Sequence, residues 1–560
     1  MTGVSPLPRE RPTRNRPTAR DTGSGGPPDT GRGRLQLVWL ATLAVGLTAL
    51  ALSLWRLMPG VGYWDTAEFQ MVPPVMGTAH PTGYPSYILI GWLASVLLAP
   101  LGEAALRMNV LSAILVGLGT AVSVDLARRL CGSLVLGMAA GLGIALTPIV
   151  WAVGTHADPH ALHFAFIAII LWLLVRWEGA RGELAADPAG RLDPIAAPPG
   201  SRHADRLLVA AAVVVGLSVG NHSLTLLFGP PIVLFVLAVD PGILRRRRFV
   251  VTNLVAFAIP TVLVRFEMIL RAGWFRAPFV YADPSTWSGF WYVTLGAQFH
   301  GWLTDPFSNV PKRIADLVAM AVTQFGPLAT LVIAAFVVTA IRRPRYALLS
   351  GATLAITCFF NSVYPDGAID RYYIGPAVIA WTWLAVFGAT VVEVLTGDDG
   401  TARRGDQRSA GFSGTPRRLG LAAAGILLLA PSLLAFPARA TLVDRSGDRS
   451  AVVWSDDVLA ALEPNAVVVS WWSYSTTLWY ATIVDGRRPD ILIIDDRNRL
   501  DQNLGDLTHV IDLYIATRPV YLIRNGTSEL GALAGRFDLS PLAGSNAANV
   551  LQVTPRAGAG

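Results

Sequence analysis

Long apolar runs separated by short polar segments dominate the chain between residues 35 and 436. The first is Leu35–Leu57. Others cover Ala105–Leu126, Leu134–Val153, Phe164–Trp177, Leu207–Gly220, Leu224–Val239, Val250–Leu270, Ile314–Ile341, Tyr346–Val363, Ile374–Leu395 and Leu419–Phe436. A spanning segment must satisfy its own backbone, so runs of this kind predict about eleven transmembrane helices. A further stretch, Tyr87–Leu101, is short and bracketed by Pro85 and Pro100; it reads either as a span or as a helix lying in the interface. Beyond residue 440 the pattern changes. Ala466–Ser470, Ile491–Ile494 and Val520–Ile523 are short β-type runs, while Val458–Leu462 and Leu507–Ala516 have helical spacing. Such alternation predicts a small α/β domain. The fold class expected is therefore a polytopic α-helical membrane protein with a small C-terminal α/β domain. Its divisions fall at a tail (1–34), a transmembrane domain (35–436) and the terminal domain (437–560).

Composition agrees with a membrane solvent, since 52% of residues are apolar and only 15% are charged. The net charge of +7 could point to nucleic acid, but the arginines sit in short segments between apolar runs. Arg128-Arg129, Arg245–Arg248, Arg342-Arg343-Arg345 and the polar segments 178–206 and 396–418 read as cytoplasmic loops. They fall on one side only if Tyr87–Leu101 does not cross. That choice puts the N-terminus in the cytoplasm and the C-terminal domain outside a plasma membrane. Residues 1–34, rich in Pro, Arg, Gly and Thr, have almost nothing to bury and are expected to be disordered. Cys131 and Cys358 predict neither a disulfide nor a metal cluster.

This topology sorts the polar residues. The inner loops carry arginine, whereas the outer turns carry Asp65, Glu68, His80, Tyr84, Arg107, His156, Asp158, His160, Asn221, His222, Asp366, Asp370, Arg371 and Tyr372. Acids so close to hydrocarbon are expensive and point to function. Each residue also has a plainer reading. Asp65-x-x-Glu68 is a helix-start pattern, in which Asp65 caps a helix beginning at Thr66 and Glu68 reaches back. His222 after Asn221 can cap a helix end, and Tyr84, Tyr372 and Tyr373 can belong to an interfacial aromatic belt. His156-x-Asp158-x-His160 could hold zinc but lacks the helical HExxH spacing. What favours function is convergence of acids, imidazoles and an arginine on one face. Glycosyl transfer from a lipid-phosphate sugar needs a general base for the acceptor hydroxyl and a cation for the departing phosphate.

Some of these residues carry a resemblance. Asp65-Thr-Ala-Glu68-Phe, His80-Pro-Thr-Gly-Tyr84-Pro and Arg107-Met-Asn109-Val-Leu-Ser112 resemble the N-terminal signature of the transmembrane-protein-260-like O-mannosyltransferases, in the GT-C glycosyltransferase superfamily. Gly216-Leu-Ser-Val-Gly-Asn-His222, Asp370-Arg-Tyr-Tyr and Trp479-Tyr…Gly486-Arg-Arg-Pro-Asp490 are similar to that group as well. Thr82 and Ala67 stand where the pattern would have proline and glycine, which leaves the acceptor open. The resemblance implies that the first-loop acid is the catalytic base and that short interfacial helices follow it.

The reading is thus a membrane glycosyltransferase that moves a sugar, with mannose expected, from a polyprenyl-phosphate donor to a hydroxyl on protein, lipid or glycan. Asp65 is the expected base and Glu68 its companion. His80, Tyr84, Arg107, Asn221, His222, Asp370, Arg371 and Tyr372 are the expected substrate contacts. No metal is required, although an acid pair can recruit Mg or Mn; no nucleic acid is involved. The rival is a non-catalytic lipid or glycan transporter, which would place charges in broken helices at mid-bilayer depth. Arg265 and Glu267 are the only intraspan charges that invite it.

Overall fold

A computed structural model describes residues 30–185, 202–364, 367–397, 414–496, 499, 504–524 and 526–556. The N-terminal tail up to residue 29, Asp366 and the centres of the two long basic segments (186–201 and 398–413) lie outside the described residues. Among those described, nine helices are long and apolar enough to cross a membrane. Large apolar side chains stay exposed along their outer faces, as Leu37, Trp39, Leu40, Leu43 and Leu47 do on α1 (Thr30–Trp55). Such a surface needs lipid; the chain is an integral membrane protein.

Two of the eleven expected spans come out shorter. Leu134–Val153 divides because Pro148 cannot continue a helix and instead opens a new one, Pro148–Ala152, leaving a 12-residue helix Leu134–Ala145. Leu224–Val239 begins as a 3₁₀ turn, Ser223–Phe228, and becomes α-helical at Gly229. The ambiguous stretch after Pro85 is α3 (Pro85–Leu97), which has 13 residues and so spans only about 20 Å. That falls short of a hydrocarbon core about 30 Å thick. Arg265 and Glu267, the pair that invited a transporter, lie in one continuous helix, Arg247–Ala272, rather than at a helix break.

The helices pack through small residues. A Cβ at Gly143 would collide with the Trp381 ring, and one at Gly119 with Phe164. Most important for the site is α2 (Trp64–Val75), a short and largely buried helix that follows α1 and packs on α4 (Ala104–Cys131).

The C-terminal part contains a five-stranded sheet in the order β2-β1-β3-β5-β4. The three expected runs are β1 (Val467–Ser470), β2 (Leu492–Asp495) and β3 (Val520–Ile523), all parallel. β4 (Phe537–Pro541) and β5 (Val550–Pro555) add an antiparallel edge that the sequence reading missed. Alternate residues serve opposite faces. Val467, Val469, Val520 and Leu522 pack under the helix Leu507–Tyr514, whereas Val468, Ile493, Tyr521 and Ile523 join the core continuous with the membrane helices.

A buried arginine anchors this attachment. Arg439, in the helix Phe436–Leu442, donates to Leu146 O (2.8 Å), Gln324 O (2.9 Å) and Ser432 Oγ (3.0 Å). All three acceptors lose their partner in Arg439→Leu. The expected cost is about 2–5 kcal/mol, read as a lowered thermal midpoint of the detergent-purified protein. An unchanged midpoint would mean that these carbonyls are satisfied without it.

Candidate active site

Asp65 lies in the first turn of α2, but neither it nor Glu68 caps the helix. The helix begins at Trp64 with Tyr63 as cap residue, and no side chain accepts from its first amides. Both carboxylates are used elsewhere. Glu68, fully buried, accepts the His80 backbone N–H (2.7 Å) on one oxygen and meets His80 Nδ1 on the other. This clamps the His80–Tyr84 loop onto α2. Gly83 within that loop has φ +81°, and a Cβ there would meet Met268 and Val293 under 3.0 Å, so only glycine fits. Trp64 and Tyr84, at either side of the acids, also hold left-handed backbone (φ +57° and +48°). For bulky residues such conformations cost free energy and collect at functional sites.

Asp65 remains about one quarter exposed, and its two oxygens have different partners. Oδ2 accepts from Arg371 Nη2 at 2.9 Å, and Oδ1 from the Trp472 indole N–H at 3.0 Å. Burial pushes the carboxyl upward, but His80, Arg371 and Trp472 outweigh it and hold Asp65 at about 2. The other terminal nitrogen of Arg371 approaches Asp158 Oδ2 at 3.6 Å, while Arg371 Nε is buried without a hydrogen-bond partner among the described residues. Asp158 is in turn oriented by the His160 amide and ring nitrogen (both 2.8 Å). Burial opposes its charge, yet His160 and Arg371 keep its carboxyl well below the usual range. The result is one guanidinium between two carboxylates, with a donor left over.

Aromatic rings wall this site. His160 stacks on Tyr372 (5.1 Å between centroids), and His222 lies against His160 (4.9 Å), Tyr372 (5.4 Å) and Tyr84 (5.5 Å). Burial, with His160 and His163 nearby, holds the His222 imidazole well below its usual range. Its Nδ1 accepts the Leu224 amide, as the capping reading expects, so the residue is both cap and wall. Asn221 ties the site indirectly by donating to Pro159 O at 3.1 Å.

Of the expected substrate contacts, His80, Tyr84, His222, Arg371 and Tyr372 converge on Asp65 and Glu68. Two do not. Asp370 is exposed on the turn Ile369–Tyr373 and takes no part in the hydrogen bonds just described. Arg107 points toward the far end of α2 and donates to Ser95 O at 2.6 Å. Its motif companions are structural: Asn109 accepts from Gln70 and the Ala157 amide and donates to Met58 O, all at 2.8 Å.

Three residues of the site, Asp158, His160 and Trp472, are not among the expected contacts. Asp158 was weighed only as a metal ligand within its His-x-Asp-x-His run, where its pairing with arginine has no local signal. Trp472 lies 407 residues from the acid it touches. Asp65, Glu68 and His80 offer ligand atoms within 4.8 Å of one another, the one such group among the described residues. Every carboxylate oxygen there already accepts one hydrogen bond from a protein donor, and each keeps a lone pair that a cation could use.

Comparison with known proteins adds to this geometry. The family described as the Protein O-mannosyl-transferase TMEM260 N-terminal domain matches residues 65–241, a stretch that begins at Asp65. The mouse (Mus musculus) Protein O-mannosyl-transferase TMEM260 is 26% identical over 228 residues, covering 40% of this chain and 28% of the mouse protein. The match thus spans less than a third of that relative's length. Among solved structures, ArnT from Cupriavidus metallidurans bound to undecaprenyl phosphate superposes with TM-score 0.52 at 16% identity, over 94% of this chain and 99% of that one. The apo oligosaccharyltransferase of Archaeoglobus fulgidus gives 0.50 at 14% identity, over 86% and 69%. The chain therefore has the GT-C fold and, over residues 65–241, resembles the TMEM260-type O-mannosyltransferases.

Proposed function

We propose that this protein is a GT-C-type glycosyltransferase that uses a polyprenyl-phosphate sugar, with mannose the expected sugar, and a hydroxyl acceptor. The observation that carries the reading is the Asp65–Arg371 contact, which puts a carboxylate beside a guanidinium whose Nε–H has no partner among the described residues. Asp65 takes the acceptor's proton as the hydroxyl oxygen bonds to C1 of the sugar. The C1–O bond to phosphate breaks, and the polyprenyl phosphate leaves with the electron pair. Arg371 stabilises that anion with charge-assisted hydrogen bonds. A donor phosphate that draws Arg371 away from Asp65 also removes one of the groups depressing its pKa. The base thereby strengthens when the donor is bound. Glu68 holds the His80 loop, and His222 and Tyr372 wall the space for the sugar. ArnT, of the same fold, binds undecaprenyl phosphate, which supports a lipid-linked donor. No step is routed through Mg or Mn, which the Asp65–Glu68–His80 group could still recruit.

The distribution of arginines supports a plasma-membrane protein with its N-terminus in the cytoplasm, and the site and C-terminal domain outside. A reporter active only outside should give signal when fused after Arg313 or Arg556 and none after Arg206 or Arg418. The reverse pattern would overturn the orientation.

A structural contact and base catalysis respond differently to Asp65→Asn. Asparagine can still accept the Trp472 indole N–H on its amide oxygen, but it cannot take a proton. Transfer from polyprenyl-phosphate mannose is expected to fall by roughly 10²- to 10⁴-fold in a protein that inserts and melts like the parent. Glu68→Gln should lose activity mainly through the loop, with a lower thermal midpoint. Full transfer by a well-folded Asp65→Asn protein would sink the mechanism.

The Trp472 and Arg371 contacts are tested through pH and donor dependence. Asp65 must be ionised, so activity falls as pH drops through its pKa. Losing the indole N–H destabilises the carboxylate and raises that pKa. The acid limb of kcat/KM should therefore move to higher pH in Trp472→Phe. Arg371→Lys keeps the charge but loses the planar fork, so the donor KM should rise. An unmoved limb would leave Trp472 as packing alone.

A further inference from the structure

Arg107 belongs to a motif that the site does not use, and it faces a separate cavity. This groove of about 450 Å³ opens at the C-terminal end of α2, where Pro74, Trp92, Val96, Ala104, Ile483 and Val484 form apolar walls around the arginine. It lies some ten residues along α2 from Asp65, on the order of 15 Å. The adjoining face of α3 exposes Trp92, Leu93, Val96 and Leu97, as a surface against acyl chains would. One nitrogen of Arg107 is tied to Ser95 O, and its Nε is buried with no hydrogen-bond partner among the described residues.

Two carboxylates adjoin lining residues in the chain without themselves lining the groove. Glu103 directly precedes the wall residue Ala104, Asp485 directly follows Val484, and both are exposed. They are close enough to interact: burial and then Glu103 push the Asp485 carboxyl upward. The arginine nearest Asp485 in sequence, Arg487, is engaged by Asp456 at 2.6 Å. A purely anionic headgroup would meet both acids, and a purely cationic one would meet Arg107. A group carrying phosphate and ammonium a few bonds apart satisfies both ends.

We propose that this groove binds an aminophospholipid of the phosphatidylethanolamine type. Its phosphate lies on Arg107, its ammonium toward Glu103 and Asp485, and its acyl chains along α3. The site is independent of the donor site and of the transfer reaction.

Native mass spectrometry of the full chain, released from micelles holding equal phosphatidylethanolamine, phosphatidylglycerol and phosphatidylcholine, tests this. The parent should retain phosphatidylethanolamine in preference to both others. Arg107→Ala should lower that retention by about tenfold. The double change Glu103→Gln, Asp485→Asn should abolish preference over phosphatidylcholine while total lipid is kept. Ala104→Phe, which fills the groove without touching a charge, should lower retention of all three. Thermal midpoints confirm folding of each variant, and Ala104→Phe keeps the test valid if Arg107→Ala fails to fold. Preference for phosphatidylglycerol, or equal retention in parent and variants, overturns the proposal. So does displacement of the lipid by inorganic phosphate, which would mark a site for the free anion.

Discussion

The candidate site depends on one guanidinium shared by two carboxylates from distant parts of the chain. Asp65 comes from α2, Asp158 from the turn before the helix Pro159–Ala185, and Arg371 from the turn that begins another span. Two buried acids so close would repel, and one would take up a proton, without a cation between them. Arg371 offsets that repulsion and, with His80 beside Asp65 and His160 beside Asp158, holds both carboxyls below their usual range. Its Nε stays unpartnered, so the same residue can take a further anion. In the proposed mechanism an arriving phosphate would compete with Asp65 for the arginine, which would couple donor binding to base strength.

Around that pair, the acids are kept apart by assigning them different work. Glu68 is spent on the His80 loop through both oxygens. Asp65, only three residues earlier, faces outward with a quarter of its side chain exposed. A carboxylate with two fixed internal donors is a structural part, whereas one held by a displaceable arginine and an indole is poised for exchange. The sequence pattern Asp-x-x-Glu does not distinguish them; the partners do.

Much of this was legible in the chain. Apolar runs separated by arginine clusters located the spans, because hydrocarbon imposes length and composition on every crossing. The two that shortened did so at Pro148 and at the His222 cap, where local backbone chemistry overrides a hydrophobic average. In the site, the residues found in advance lie in short polar turns next to apolar runs, where an acid or imidazole is conspicuous. Arg107 shared that signal and is elsewhere, since position at a helix end does not say which way a side chain points. Asp158 was seen and misread, because its partner arginine is more than two hundred residues away. Trp472 could not be found at all: it sits among seven aromatic or hydroxyl residues, Trp471 to Thr477, with nothing to mark one indole.

Trp472 also explains why the sheet must be attached rather than merely tethered. Its helix, Trp472–Trp479, lies on α2, and Thr477 further along donates to Gly62 O at 2.8 Å. Tyr480 then accepts the Ala105 amide at the start of α4 (3.0 Å). These contacts fix both sides of the Gly62–Asp65 segment from the C-terminal part of the chain. One face of the sheet belongs to the same apolar core as the membrane helices, and the helix that carries the indole packs on β2. A domain that only covered the site could move without altering the base. Here its displacement would strip a hydrogen bond from Asp65 and raise the pKa of that carboxyl. The C-terminal part is therefore placed to set how strongly Asp65 holds its proton, and the helical part to set what reaches it.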